Sequence, residues 1–562
     1  MKKSLLNFSV ISAIIIAVLS LVSLPASARP EIKQVDKAPP TATLIPLSDN
    51  WRMDGDVPVH ALILSIQGLA NRDYPRIYLE YPQNWQWEIV RPLITFLEKR
   101  HGIKFERLAQ DDADAALTRF GKYAKGCVVW DKAVRSSLIV AFTISGVEDL
   151  VIVNEDLLPL ALKHGLKPMV DLRGKFTGQT DTQIYQWAYD NYHQRCSRDY
   201  YVAMGGHSGA EMQPGIADFG IRQRAFFTNL SADPKDASER ALLSRIFAGQ
   251  NPASIVLGWH SYAKDTEALH TTLASNYGLE TEGLHNLPNV SFTCQIPLTP
   301  GFKYANPPNV PLDTRLTADN KVYIAAVSSD SIGIGAWTKP GRGDIPYAWQ
   351  VTANWSWMNP PALQYFYESK TPNDYLIGGL SGPGYMYPQA IPADKFPALM
   401  EDMRALMTKL DLHVVEIMDH TAGHRINGVA DLSREVGDRY YKELPDVIGF
   451  INGYSAAHTF DLRDTRPLIS YDYYLAVDCK VEDAIADLNE LMQLNDRRPY
   501  FLLIHVRESN TVEKVKHIVE GLDEKAEIVP LDIFLKLAAS KKTYETYYQS
   551  DSATAKPAAG AR

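Results

Sequence analysis

Gly382-Pro383-Gly384-Tyr385-Met386-Tyr387-Pro388 follows directly on the apolar run Tyr375-Leu376-Ile377-Gly378-Gly379-Leu380. The run predicts a buried strand that ends in small residues. Gly382 and Gly384 let the backbone turn tightly or lie close to a ligand, while Pro383 and Pro388 stiffen the loop. Tyr385 and Tyr387 are two residues apart and project to the same side of an extended segment. Rings held this way suit stacking on a sugar, with each phenol left to hydrogen-bond. The same residues also fit a structural turn whose tyrosines pack on a barrel rim.

Around this stretch the chain alternates strands and helices. Strands are expected at Val322–Ser329, Tyr375–Leu380, His413–Met418, Val447–Asn452, Leu468–Tyr473, Phe501–Val506 and Ile528–Leu531. That pattern predicts a seven-stranded β/α barrel over residues 316–540, with its chemistry on the loops after the strands. Those loops carry Asp330, Tyr385 and Tyr387, Asp419 and His420, Tyr454, Asp472 and Tyr474, and Arg507 and Glu508. A linker is expected near Pro300 to Asp319, where Pro307, Pro308 and Pro311 interrupt any regular pattern. Before it, three helix-then-strand units predict an N-terminal domain (29–315) of divergent α/β repeats. They run from Gln67–Pro75 into Arg76–Leu79, from Ser136–Thr143 into Asp149–Asn154, and from Ala241–Phe247 into Ala253–Trp259. Arg29 to about Asn50 reads as a loose leader, and 541–562 as a disordered tail.

The chain has 562 residues, 46% hydrophobic and 22% charged, with formal net charge -9. That length implies two or more domains. The negative balance argues against a nucleic-acid surface or an anionic membrane patch. Lys2 and Lys3, the apolar stretch from Leu5 to Leu24 and Ala26-Ser27-Ala28 have the order of a secretory signal cleaved after Ala28. The mature protein is then exported, periplasmic or extracellular, without stable membrane insertion; an uncleaved anchor is the alternative. Cys127, Cys196, Cys294 and Cys479 stand singly, without a C-x-x-C pair, and read as buried free thiols. No motif calls for a cofactor.

The opening stretch spells G-x-G-Y-x-Y-P, and Gln67-Gly68-Leu69-Ala70-Asn71-Arg72-Asp73-Tyr74-Pro75-Arg76 resembles a Q-G-L-x-N-R-x-x-P block. In both, the chain resembles the GxGYxYP family of glycoside hydrolases. The resemblance implies a carbohydrate substrate, three N-terminal repeats, and a catalytic set of one glutamate plus two aspartates in an S-D-G-D-N stretch. Asp330 matches the first aspartate, and the second falls on Ile332, which holds neither a proton nor a water. Glu267 is the best match for the glutamate, with Asp265 its competitor. Both stand at the start of an expected helix running to about Ala274, where acids also serve as caps or favour the helix dipole. An inverting hydrolase needs one acid and one base, so Glu267 and Asp330 suffice. Asp419 is the barrel carboxylate best placed to replace the missing one, and a protein that binds glycans without cleaving them is a further reading.

His420-Thr421-Ala422-Gly423-His424 resembles an H-[ST]-x-x-H motif of metal-dependent polysaccharide deacetylases, in which Asp330, His420 and His424 would hold a divalent metal. The preferred reading has no metal and uses His420 as a polar sugar contact. Trp349, Trp355 and Trp357 crowd a segment read as a loop, for stacking on sugar or packing between domains, and Trp337 is a further candidate contact. Gly205-Gly206-His207-Ser208-Gly209 lacks a following Lys and reads as a turn.

Overall fold

The structure, a computed structural model, describes residues 32–549 except 86, 207–208, 329, 331, 333–335, 422–429 and 524. The expected signal segment 1–28, His424 and most of the S-D-G-D-N-type stretch therefore lie outside the described residues.

Three small parallel sheets precede one large one. In the first, Thr41–Pro46 lies between Ile77–Glu80 and Lys104–Arg107. The leader expected over 29–50 thus contains the central strand of a sheet. Pro39, Pro40 and Pro46 flank it and dominate the composition, but Ala42, Leu44 and Ile45 between them are buried. A strand buried on both faces reads as a short apolar run without alternation, which is a weak sequence signal. In the second sheet Gly126–Val129 is central to Leu150–Val153 and Pro168–Asp171. The third runs Glu280–Glu282, Ile255–Ser261, Tyr200–Gly206, Phe226–Thr228. Helices Arg135–Glu148 and Ala237–Ala248 precede their strands as the pattern predicts.

The Gln67–Arg76 block is a clasp between these sheets. It ends the almost wholly buried helix Val57–Ala70. Asn71 caps the turn with both ends of its amide, donating to the Ile77 carbonyl at 2.8 Å and accepting from Arg76 N and Ile77 N. Gln67 donates to Asn289 Oδ1 at 2.8 Å, and Arg72 pairs with Asp149. The Gln67 contact spans 222 positions and the Arg72 pair 77, so the block does architectural work.

The large sheet curls into a half-barrel. Its main path of nine strands includes the parallel neighbours Tyr500–Val506, Val322–Ser328, Tyr347–Val351, Asp374–Gly378, Val414–Met418, Gly449–Gly453 and Arg466–Ser470. Two expectations change. Tyr347–Val351, read as an aromatic loop, is a fully buried strand, and its Trp349 indole donates to Asp374 Oδ1 at 2.8 Å. Its aromatic and β-branched content was in fact strand chemistry. Near the C-terminus only Ala526–Ile528 pairs, as a short addition beside Val322–Ile324. Phe460–Arg463 adds an antiparallel strand. The first nine residues of the expected tail pack down: Tyr547 N donates to His458 O at 3.0 Å and Gln549 N to Leu432 O at 2.9 Å.

The stretch from Pro300 to Asp319 holds no strand or helix and is tied to the large sheet through Asn306 to the Leu376 backbone, and to the helix Leu531–Ala538 through Asn309 to Asp532. Cys127, Cys196 and Cys294 are buried free thiols and Cys479 is half-buried. No helix among the described residues is long and apolar enough to cross a membrane.

Candidate active site

The third small sheet and the large sheet meet at the Gly382–Pro388 loop. Thr281 N donates to Tyr385 O and Tyr385 N to Thr281 O, both at 2.8 Å, forming an antiparallel bridge. Beside this seam lies a cavity of about 320 Å³. Before residue 300 its wall includes Trp87, Trp259, Tyr262, Glu267 and Glu282; after it, Asp330, Trp355, Tyr385, Tyr454, Arg507 and Glu508. Aromatic walls with a few convergent polar groups are the usual make-up of a small-ligand site.

Glu267 opens helix Glu267–Asn276, whose cap is Thr266, its Oγ1 accepting from Leu269 N at 3.3 Å. The helix therefore needs no acid cap, and the Glu267 carboxyl instead receives a hydrogen bond from the Tyr385 phenol. Asp265, the competitor, lies outside the cavity lining. It is buried between His260 Nδ1 (3.1 Å) and His270 Nδ1 (3.7 Å) and accepts from Ala232 N at 2.8 Å. Burial alone would raise its pKa, but the hydrogen bonds from His260 and Ala232 N, with the His270 ring beside them, outweigh it and hold the carboxyl well below the usual range. Asp265 is a structural acid.

Asp330 follows strand Val322–Ser328 with φ 62°, a left-handed conformation unusual outside glycine. It is held there from behind. Its N–H donates to Gln350 Oε1 at 2.9 Å, and Gln350 Nε2 donates to buried Glu416, which also accepts from Tyr471 at 2.9 Å. Burial raises Glu416 to about 7. On the cavity side Arg507 Nη1 lies 2.6 Å from Asp330 Oδ2, and Arg507 Nε lies 2.7 Å from Glu508 Oε2. The guanidinium also donates to the Tyr454 phenol.

The remaining expected site residues fall elsewhere. Asp419 is buried off the cavity lining, with its oxygens accepting from Gln389 N (2.7 Å) and Thr421 N (2.8 Å). Tyr387 is fully buried and its hydroxyl lies 3.0 Å from that of Tyr385. His420 packs edge-on against Tyr387 and Tyr454. Trp337 is core, set against Trp349 and Phe366, and its indole donates to Ser369. Among the described residues no three His, Cys, Asp or Glu side chains gather as a metal site.

Gly384 explains the second glycine of the motif. A Cβ there would lie 3.0 Å from Asn354 Nδ2 and 3.1 Å from Glu280 Oε2 and Glu282 Oε2. Asn354 donates to both carboxylates, at 2.9 and 3.2 Å.

Family models match almost the whole described chain. Residues 43–122, 124–196 and 198–295 match the first, second and third GxGYxYP N-terminal domains, and 320–539 match the "GxGYxYP putative glycoside hydrolase C-terminal domain". The chain belongs to the GxGYxYP family. No curated protein matches it. Among solved structures it is similar to the crystal structure of "a putative hydrolase from Bacteroides thetaiotaomicron VPI-5482", with TM-score 0.73 and 16% identity over 92% of this chain and 97% of that one. At that identity the likeness concerns the fold. The GxGYxYP loop itself puts one of its two tyrosines, Tyr385, on the cavity and uses the other, Tyr387, as its support.

Sequence reasoning passed over Trp87, Trp259 and Glu282 as site residues and did not single out Glu508 from the strand-end inventory. The signal for Glu508 was present, since it stands just beyond strand Tyr500–Val506. For Glu282 there was none, because it lies on a three-residue strand with no hydrophobic period.

Proposed function

We propose that this protein hydrolyses a glycosidic bond in the cavity, with Glu267 as proton donor and Asp330 as base. One observation carries the reading: carboxyls from opposite halves of the chain line a single aromatic-walled cavity. In the step, Glu267 gives its proton to the bridging oxygen as the bond from that oxygen to the anomeric carbon breaks. A water adds to the anomeric carbon and gives a proton to Asp330. The family's description as glycoside hydrolases supports a carbohydrate substrate. Trp259, stacked on Tyr385 at 5.8 Å between ring centroids, and half-exposed Tyr262 provide faces for sugar rings.

We also read the curled sheet as a seven-stranded barrel. The segment from Arg466 to Leu475 supports closure, because Tyr471 N donates to Asn452 O at 3.4 Å while Asp472 N donates to Leu503 O at 2.9 Å on the opposite edge. Asp330, Tyr385 and Glu508 then all stand at the strand ends, where such barrels keep their chemistry.

The test is sugar release from a panel of polysaccharides and oligosaccharides by wild type, Glu267→Gln and Asp330→Asn, with and without chelator. Release by wild type and loss of at least about a hundredfold in both variants is expected. Equal release by all three proteins removes these residues from the reaction.

A further inference from the structure

Arg222-Gln223-Arg224 closes the short helix Ala217–Arg222. Ala225 N donates to Gly220 O at 2.9 Å and Arg224 N to Ile221 O at 3.1 Å, the pair of bonds that ends a helix on a left-handed residue. Glycine is the usual residue there, and here it is Arg224, with φ 55°. The turn uses only the Arg224 backbone. Its side chain is half-exposed, and the guanidinium reaches Asp149 only at 3.9 Å.

Arg224 lines a cavity of about 380 Å³ together with Arg72, Arg222, Lys33 and Tyr200. Among the described residues that line it, none is acidic. Asp149, behind it, is shared by Arg72, Lys125 (2.8 Å) and Arg224. The nearby acids Glu148 and Asp73 are taken up by Arg195 and Arg76. Asp218 is buried beneath Arg222, and burial raises it to about 7.

Part of the positive charge answers helix C-termini. Arg72 donates to Gly146 O at 2.9 Å and Ile221 O at 3.3 Å, and Arg222 Nε to Asn71 O at 3.2 Å. Each helix C-terminus carries about half a negative charge, so the ends of Val57–Ala70, Arg135–Glu148 and Ala217–Arg222, with Asp149, supply roughly two and a half. Half-ionised Asp218 adds less than one more. Against them stand the cations Lys33, Arg72, Lys125, Arg222 and Arg224, which leaves a positive surplus. Arg72 registers the crowding: its pKa is lowered by burial first, and the charges of Arg224 and Arg222 add to that against Asp149.

We propose that this cavity binds an oxyanion group, a sulfate or phosphate, through the guanidinium groups of Arg222 and Arg224. Arginine forks match the oxygens of such groups two at a time. The site is separate from the catalytic cavity. Tyr200 and Ile255 are paired at the amino ends of their strands, whereas Trp259 and His260 line the catalytic cavity near the carboxyl end. Strand Tyr200–Gly206 has 7 residues, a span on the order of 20 Å. Two sources carry the chemistry: the free ion, and an ester group on a sugar.

The experiment is calorimetric titration of the full chain with inorganic phosphate, inorganic sulfate, glucose 6-phosphate and glucose 6-sulfate, with glucose as the blank. Chloride holds the ionic strength constant, so general screening is the same throughout. Saturable binding of one oxyanion per chain, weakened about tenfold or more in Arg224→Gly and in Arg222→Gln, supports the proposal. Arg224→Gly installs the residue that the turn prefers, so its Tm without anion is expected at or above that of wild type. It decides the matter alone if Arg222→Gln does not fold. Tighter binding of the esters than of the inorganic ions identifies the sugar-borne group as the source, and the reverse order identifies the free ion; either order supports the site. No saturable binding of any of the four oxyanions, or equal affinity in wild type and both variants, overturns it.

Discussion

The Tyr385 phenol donates a hydrogen bond to the Glu267 carboxyl, joining the loop that names the family to the acid contributed by the other half of the chain. The bond strengthens as Glu267 gives up its proton and becomes a carboxylate, and hydrogen bonds to charged groups are worth roughly 1.5–3 kcal/mol. Tyr385→Phe keeps the ring stacked on Trp259 and removes the hydroxyl, with its bond to Glu267 and its contact to Tyr387. The expected result is a fall in kcat/KM of about 10- to 100-fold with little change in Tm. A variant with wild-type kcat/KM would show that the phenol plays no part in setting Glu267.

Gly384 is held against three polar atoms by the loop's rigid attachment. Leu380 and Ser381, just before the motif, both have positive φ (64° and 73°), and Ser381 is fixed by donating to Met418 O at 2.6 Å and accepting from Met418 N. The loop has little freedom to give way, so Gly384→Ala is expected to cost about 1–3 kcal/mol, read as a lower denaturation midpoint. The cost comes from pushing Asn354 off Glu280 and Glu282.

Asp265 and Glu267 are two residues apart and separate cleanly in experiment. Asp265→Asn is expected to lower stability by roughly 1–3 kcal/mol at neutral pH, because it disturbs the contacts to His260, His270 and Ala232. Its folded pKa is depressed, so this stabilisation is present above the unfolded aspartate value of about 4 and is lost as pH falls below it. The gap in Tm between wild type and Asp265→Asn should close in acid. Glu267→Gln, which keeps an acceptor for the Tyr385 phenol, should leave Tm unchanged at neutral pH.

Glu416 has the opposite sign. A carboxyl raised to about 7 in the fold retains a proton that the unfolded chain has already released, so its contribution to stability is full at low pH and falls as pH rises to 7. Glu416→Gln mimics the protonated form and keeps the acceptor used by Gln350 and Tyr471. Denaturation of the two proteins should coincide near pH ~4 and diverge by up to about 3 kcal/mol above neutrality, with the variant the more stable. Parallel curves at all pH values would mean that Glu416 is ionised in the fold.

The loop Gly382–Pro388 and the cavity position of Asp330 were legible because turn glycines and strand ends leave local marks in sequence, whereas Glu267 was reached only through the family resemblance. The strand Thr41–Pro46 was not, since prolines at both ends outweigh four buried residues between them. Tyr347–Val351 was misread for a related reason: aromatic residues that fill the inside of a sheet look, in one dimension, like residues that line a groove. Asp419 and Trp337 are polar or aromatic at the right strand ends, and nothing local shows that backbone N–H groups and core rings occupy them. The pairing of Asp330 with Arg507 joins residues 177 positions apart and exists only once Tyr500–Val506 lies beside Val322–Ser328.

The most direct measurement compares leaving groups. Once the panel identifies the sugar, kcat/KM is measured for its dinitrophenyl glycoside and for an alkyl or natural glycoside with wild type, Glu267→Gln and Asp330→Asn. A dinitrophenolate leaves without needing a proton, so Glu267→Gln should stay within about tenfold of wild type on that substrate while losing a hundredfold or more on the other. Asp330→Asn should lose activity on both. Equal losses for Glu267→Gln on the two substrates would contradict its role as proton donor.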